Sequence, residues 1–286
     1  MNMITLNNEA QIPQLGIGVY QVRSADCGPA LACAFDVGYR SVDTANAYLN
    51  ERAVGAAIRD SGLSREDIFV TSKLWPPDFR YDKAVVAIDR TLARLGTGYV
   101  DLLLLHQQYG DYRGAWKAME EAVADGKVRT LGVSNFNQRR FTDLVSGAKI
   151  LPAVAQVECH PYFQQRELKE FLAPFATVLE AWYPLGHADR GLLAEPLFAR
   201  LGEKHGKSPV QVILRWHLQS GNIAIPRSTN PEHIRSNFDI FDFALTSEEM
   251  ASIAELDRNR PFFRMPDWVG RIIFPAARIN FDKRQR

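Results

Sequence analysis

Residues 100–106 read VDLLLLH, and the fold turns on how that run is taken. It is far shorter than the roughly 20 apolar residues that cross a bilayer. Its unbroken leucines leave no polar face to water, so it reads as a parallel strand buried on both sides and ended by a histidine. Similar runs flank it: LGIGVY (15–20), SVDT (41–44) and IFVTSK (68–73) before, then VRTLGVSN (128–135), AVAQVECH (153–160), TVLEAW (177–182) and NIAIPR (222–227). Between them apolar residues recur at three and four, as in Val85, Ile88, Leu92 and Leu95, then Trp116, Met119 and Val123, then Val210, Ile213, Leu214 and Leu218. That period predicts amphipathic helices. Ser64 before an acidic turn, Gly96 and Gly147 after periodic segments, and the pairs Ser208-Pro209 and Asn230-Pro231 mark helix ends.

The strand ends Asp43, Lys73, His106, Ser134, His160 and Trp182 follow one another at intervals of 22 to 33 residues. Eight such strand–helix units predict an α/β fold, a (β/α)8 TIM barrel, for which about 250 residues suffice. No Pro/Gly/Ser-rich linker divides the chain, so residues 1–286 read as one domain. ITLN with the turn Asn7-Asn8 predicts an N-terminal hairpin closing the barrel bottom, and helical stretches at 196–205 and 209–219 imply an extra helix. Ser247–Asp257 predicts a further helix, and the tail from Arg258 reads as irregular. A doubly wound nucleotide-binding sheet would need G-x-G-x-x-G. Here Gly16-Ile17-Gly18 lacks the third glycine, and neither a P-loop nor G-x-S-x-G occurs.

Composition narrows the function. The chain is 46% apolar and 23% charged with a formal net charge of +1, which excludes disorder and a field able to recruit nucleic acid or an acidic membrane. Any anion is bound locally. Cys27, Cys33 and Cys159 form no C-x-x-C pair, and MNMITLNNEA has neither the basic nor the apolar part of a signal peptide. A reduced, cytoplasmic protein is expected.

In such a barrel, chemistry sits at the C-terminal ends of strands. Asp43, Lys73 and His106 end three successive strands, and Tyr48 follows Asp43 closely enough to fold back over the same mouth. Singly these could be a turn cap, a surface lysine, a core histidine and a packed aromatic. Together they form a constellation: a desolvated lysine needs an anion, Asp43 supplies it, and a phenol beside the cation is expected to titrate below the ordinary tyrosine value. Such a phenol can donate a proton to an alkoxide. A metal-dependent hydrolase using Asp43, His106, Glu158 and His160 is the competing chemistry, but paired histidine ligands are absent and Lys73 would repel the ion. No metal is therefore expected. Cys159 and His160 read as packing.

The segments DTANAYLNERAVG, FVTSKLW, DLLLLH, GKVRTLGVSNF, AQVECHPY, EAWYPLG and IPRSTNPEHIRSNFDIFDF resemble the aldo-keto reductases, in register from about Leu15 to Leu256. The nearest likeness is to small bacterial and fungal members of the 2,5-diketo-gluconate reductase type. The resemblance implies NADPH-dependent reduction of aldehydes or ketones, keto sugars and diketones included, by a monomer. It implies Tyr48 as general acid, Lys73 lowering its pKa, Asp43 as the partner of Lys73, and His106 orienting the substrate carbonyl. Ser134, Asn135 and Gln156 match residues that bind the nicotinamide carboxamide. Trp182, where a tyrosine is frequent, would stack on the ring, and Leu185, Gly186 and His187 would follow the pyrophosphate. A non-catalytic cofactor-binding member of the same fold is the alternative, disfavoured by the presence of all four chemistry residues.

Departures fall in 226–237. The resemblance places Arg227, Ser228, Thr229, His233 and Asn237 at the adenosine end, with Arg227 standing for the usual lysine and His233 for the usual arginine. A histidine carries less charge at neutral pH than an arginine, so a weakened NADPH preference with some NADH use is expected. His106 is followed by Gln107-Gln108-Tyr109-Gly110, a short loop, which predicts an open pocket rimmed by Tyr20, Trp75 and Tyr109, with the tail aromatics Phe262 or Trp268 nearby.

Overall fold

The computed structural model describes residues 2–284. Strands β1 (Met3–Thr5) and β2 (Gln11–Pro13) pair as an antiparallel hairpin. The eight-stranded parallel sheet follows in chain order: β3 (Ile17–Gly18), β4 (Ser41–Asp43), β5 (Phe69–Leu74), β6 (Val100–Leu105), β7 (Val128–Ser134), β8 (Val154–Glu158), β9 (Val178–Trp182) and β10 (Ile223–Ala224). Its edges meet. Leu15 bridges Ala224 in parallel, and Gly16 donates its N–H to the Ala224 carbonyl at 2.9 Å. The sheet is thus closed into the predicted barrel.

Alternation along β6 explains the two cores. Leu102 and Leu104 point inward, where they meet Leu6 and Ile12 from the hairpin and its approach, with Phe69, Val154 and Ile223 from other strands. Leu103 and Leu105 point outward to the helices. Continuing the period of two carries His106 to the inward face just beyond the strand. On β5 the same rule sends Lys73 inward with Phe69, and Ser72 outward. The hairpin therefore closes one end of the barrel, and the polar strand ends gather at the other.

The helical layer comprises α1 (Ser24–Val37), α2 (Glu51–Asp60), α3 (Tyr81–Leu95), α4 (Tyr112–Ala124), α5 (Gln138–Val145), α6 (Arg166–Leu172), α7 (Arg190–Leu193), α8 (Pro196–His205), α9 (Pro209–Gln219), α10 (Pro231–Phe238) and α11 (Ser247–Ala254). Ser208 and Gln211 form a capping box on α9, and the Asn230 side chain caps α10. Gly96 ends α3 in the left-handed region, whereas Gly147 lies beyond the Ser146 cap of α5. Ser64 precedes only a three-residue 3₁₀ turn.

The tail differs from its sequence reading. Instead of running irregularly it carries α12 (Asp267–Ala276) and a short α13 (Phe281–Arg284). Arg140 on α5 pairs with Asp267 at 2.6 Å, and Trp75 donates its indole N–H to the Ala277 carbonyl at 2.9 Å. Helix α12 is thereby held at both ends beside the barrel mouth. Among the described residues no helix is long and apolar enough to cross a membrane.

Candidate active site

Lys73 is wholly buried, and its Nζ donates to both Asp43 oxygens at 2.6 and 2.8 Å and to the Thr44 carbonyl at 3.0 Å. The Tyr48 hydroxyl lies 3.1 Å from the same nitrogen. Strands β4 and β5 supply Asp43 and Lys73, while a 3₁₀ turn at Asn46–Tyr48, ended by Leu49 in the left-handed region, folds the phenol back. His106 packs edge-on to Tyr48, with ring centroids 5.6 Å apart, and to Trp75, at 5.0 Å. The three residues read from strand ends and Tyr48 from the following loop stand together.

Their electrostatics correct one expectation. Burial first, then the charge of Asp43, pushes the Tyr48 phenol well above its ordinary pKa, with Tyr20, Glu180 and Tyr183 acting the same way. The expected lowering by Lys73 does not emerge, because direct contact with Asp43 neutralises most of the field that the ammonium projects. Tyr48 is consequently a protonated phenol at neutral pH. Burial, assisted by Lys73, pushes His106 well below the usual histidine value, so its imidazole is neutral.

A second layer surrounds this group. One amide nitrogen of Gln156, Nε2, donates to Asp43 Oδ2 at 2.8 Å and to Glu180 Oε2 at 2.9 Å. Both of its hydrogens face inward, which leaves the amide oxygen to accept from a molecule in the mouth. Asn135, with φ of 61°, donates to the His106 carbonyl and to Ser134 Oγ, both at 3.1 Å, and accepts the Trp182 indole N–H at 2.9 Å. The Trp182 ring is thus fixed at the end of β9. Glu180 and Tyr183 escaped the sequence reading, although Glu180 stands directly opposite Gln156 in the β8–β9 register.

Past β9, residues 186–188 all adopt left-handed backbone, with φ of 58°, 58° and 57°. Strain of this kind concentrates at ligand-binding loops. A Cβ at Gly186 would lie 2.8 Å from Phe262 and 2.9 Å from Leu192, so only glycine fits. Leu185 is half-buried and His187 exposed. Arg227 and Thr229 are exposed and Ser228 half-exposed just before α10, His233 lies exposed in its first turn, and Asn237 is buried farther along. These residues offer a cation, hydroxyls and a helix N-terminus to an anion. An indole fixed in place, an amide with its oxygen left to accept, a strained glycine loop and this anion-receptive end fit an extended nicotinamide dinucleotide.

On the rim, Tyr20 is 40% exposed and 5.0 Å from the Tyr48 ring, and Trp75 forms a wall against His106. Tyr109 does not rim the opening as expected: it is 6% exposed and stacks on Phe274 of α12 at 5.3 Å. A Cβ at Gly270 would fall 2.3 Å from its ring, so the glycine lets the tail helix lie over it. Phe262 touches His160, ring centroids 4.7 Å apart, while Trp268 stays 68% exposed. Cys159 is buried packing, but His160 does more than pack. It bonds Glu158 at 3.1 Å, whose carboxylate accepts the backbone N–H groups of Phe262 and Phe263 at 2.6 and 3.2 Å. Glu158 therefore anchors the tail, and among the described residues no cluster of three His, Cys, Asp or Glu is placed to hold a metal.

The fold and mouth define a barrel oxidoreductase, and comparison with known proteins gives the family. The aldo/keto reductase family model matches residues 14–258. An aldo-keto reductase of Mycolicibacterium smegmatis is 45% identical over 260 residues, covering 90% of this chain and 94% of that one. The glyoxal reductase of Bacillus subtilis is 40% identical over 92% of this chain and 96% of its own. A solved Bombyx mori aldo-keto reductase in complex with NADP superposes with a TM-score of 0.89 at 33% identity, covering 96% and 98% of the two chains. The chain belongs to the aldo/keto reductase family and is an NAD(P)H-dependent oxidoreductase.

Proposed function

We propose that the protein reduces aldehydes and ketones to alcohols with NADPH, Tyr48 donating the proton to the carbonyl oxygen. The observation that carries this is the buried Asp43–Lys73–Tyr48 chain beside a neutral His106. A phenol kept protonated at neutral pH is an acid in reserve, and Lys73 3.1 Å away stabilises the phenolate it leaves. Nδ1 of His106 is buried without a partner, so the single ring proton belongs on Nε2, where it can be donated to a substrate oxygen. Bound NADPH supplies the hydride. Ser134, Asn135, Gln156 and Trp182 hold its nicotinamide, Leu185, Gly186 and His187 follow the pyrophosphate, and Arg227, Ser228, Thr229, His233 and Asn237 receive the adenosine end.

Small dicarbonyls are the substrate class we favour, since the glyoxal reductase relative is named for one and the rim of Tyr20, Trp75 and His106 offers aromatic walls with few polar contacts. Loss of NADPH absorbance with methylglyoxal and with an aromatic aldehyde tests the reading. Tyr48→Phe is expected to lower kcat by about 10²–10⁴-fold while NADPH still quenches tryptophan fluorescence. Activity that survives the substitution would remove Tyr48 from the role. Replacing His233 with arginine is expected to raise the NADPH-over-NADH ratio of kcat/KM by about tenfold, the worth of one charge-assisted hydrogen bond. An unchanged ratio would take His233 out of the 2′-phosphate site.

A further inference from the structure

Glu180 is 1% exposed and has no part in the proton transfer described above. It lies two residues before Trp182 on the same inward face of β9 and opposite Gln156 of β8. A single nitrogen, Gln156 Nε2, joins it to Asp43. The two carboxyl groups are accordingly within about 6 Å of each other, the range in which like charges oppose each other's ionisation. Among the described residues one buried cation, Lys73, serves both, and it is already in bidentate contact with Asp43. The charged and titratable groups facing Glu180 are Asp43 from β4, Lys73 from β5 and Tyr48 from the loop after β4. On its other side, β10 brings Ile223 into register. Burial, then the charge of Asp43, raises the Glu180 carboxyl to about 8, against the opposing pull of Gln156 and Lys73.

The nicotinamide ring is uncharged when reduced and cationic when oxidised. Resting on the cofactor placement proposed above, we infer that Glu180 is a charge-selecting residue at the nicotinamide end of the site: as the acid it leaves Asp43 and Lys73 a neutral pair suited to NADPH, and as the carboxylate it adds a negative charge that favours NADP+. Glu180 is a positioning residue in this scheme, acting on bound nucleotide through its charge and through Gln156. Carbonyl reduction is thereby favoured at neutral pH and alcohol oxidation in alkali.

The test is equilibrium binding of NADPH and NADP+ by fluorescence quenching across the range from about pH 6.5 to about pH 9.5. Contacts at the adenosine end, including those to the 2′-phosphate, are common to both nucleotides and cancel in the ratio of their Kd values. That ratio, NADPH over NADP+, is expected to rise about tenfold with pH, the effect of a unit charge about 10 Å away at an effective dielectric of about 20. Glu180→Gln preserves size and the acceptor for Gln156, and should flatten the ratio. Tyr48→Phe should keep the rise, since the slope belongs to the carboxyl and not the phenol. A slope lost in Tyr48→Phe but retained in Glu180→Gln would overturn the inference. Tight binding of both nucleotides with a flat ratio in the unmodified protein would overturn it alone, whereas failure of both to bind would overturn the cofactor reading as well.

Discussion

Two adjacent residues of β5 face opposite ways, and each meets a buried ion pair. Inward, Lys73 pairs with Asp43 at 2.6 Å; outward, Ser72 donates to Glu51 at 2.7 Å, and Glu51 pairs with Arg94 of α3 at 2.6 Å. The outer cluster is closed by its own partners. Arg94 donates from Nε to Glu51, from Nη1 to Asp282 at 3.1 Å and from Nη2 to Thr91 at 3.1 Å, while the Ser72 hydroxyl donates to the other oxygen of Glu51. The inner cluster ends in groups that still have capacity: a phenol at 3.1 Å, a neutral imidazole and the oxygen of an amide whose nitrogen alone is engaged by the two carboxylates. Burial and short ion-pair distances are common to both. Unfilled hydrogen-bonding capacity beside an opening is what separates a site from a strut.

Cutting the cation from each cluster breaks that comparison most directly. Lys73→Met leaves Asp43 buried and unpaired, and Arg94→Met does the same to Glu51, so each should lose about 3–5 kcal/mol of unfolding free energy. Their kinetics should part company. Below the unfolding transition Lys73→Met is expected to lower kcat by about 10²–10⁴-fold, through loss of the charge that stabilises the phenolate. Arg94→Met should keep kcat within about twofold, since its cluster faces away from the reacting groups on the opposite side of β5. Denaturant melts combined with initial rates decide the matter, and an equal loss of kcat in both variants would erase the distinction between the clusters.

A smaller difference lies in pH. Burial, then the charge of Asp43, holds the Glu180 carboxyl of the inner group up at about 8, against an ordinary carboxyl value of 4.5. The folded chain then holds this proton where the unfolded chain has released it, so stability falls as pH rises from 4.5 to about 8 and levels off above. Glu180→Gln should flatten that slope in urea midpoints measured through the window. If the slope persists unchanged, Glu180 is ionised throughout and the two carboxylates share Lys73.

How much of this was legible in the sequence follows from periodicity. Lys73 and His106 could be placed because a strict alternation along apolar strands dictates which end residue faces inward. Glu180 is inside a strand and its chemistry arises from a cross-strand partner, so only the β8–β9 register exposes it. Helix α12 was missed because prolines flank and punctuate it: Pro266 stands at its N-cap without a side-chain cap bond, and Pro275 lies in its last turn. Those are breaker signals locally, overridden by Phe274 packing on Trp75 and Tyr109 and by Gly270 clearing space for Tyr109. The same contacts hid the fate of Tyr109, whose aromatic ring suits a rim and a core equally well.

The tail helix supplies the gentlest perturbation of the mouth. Asp267 accepts from Arg140 and from Arg271 at 2.8 Å, and the Arg140 contact above all holds its carboxyl down to about 2. It also lies in the first turn of α12, where a negative charge is favoured. Because Asp267 is half-exposed, neutralising it should cost no more than about 1 kcal/mol. Asp267→Asn is therefore expected to leave the melting temperature nearly unchanged and to loosen α12 over Tyr109 and Trp75. KM for carbonyl substrates should rise by up to about fivefold, the equivalent of that energy, with nucleotide Kd unaffected. Nucleotide binding weakened in step with substrate would mean that α12 supports the cofactor side of the mouth as well. An unchanged KM would mean that the Trp75 bond to Ala277 and the tail anchor at Glu158 hold the helix without Asp267.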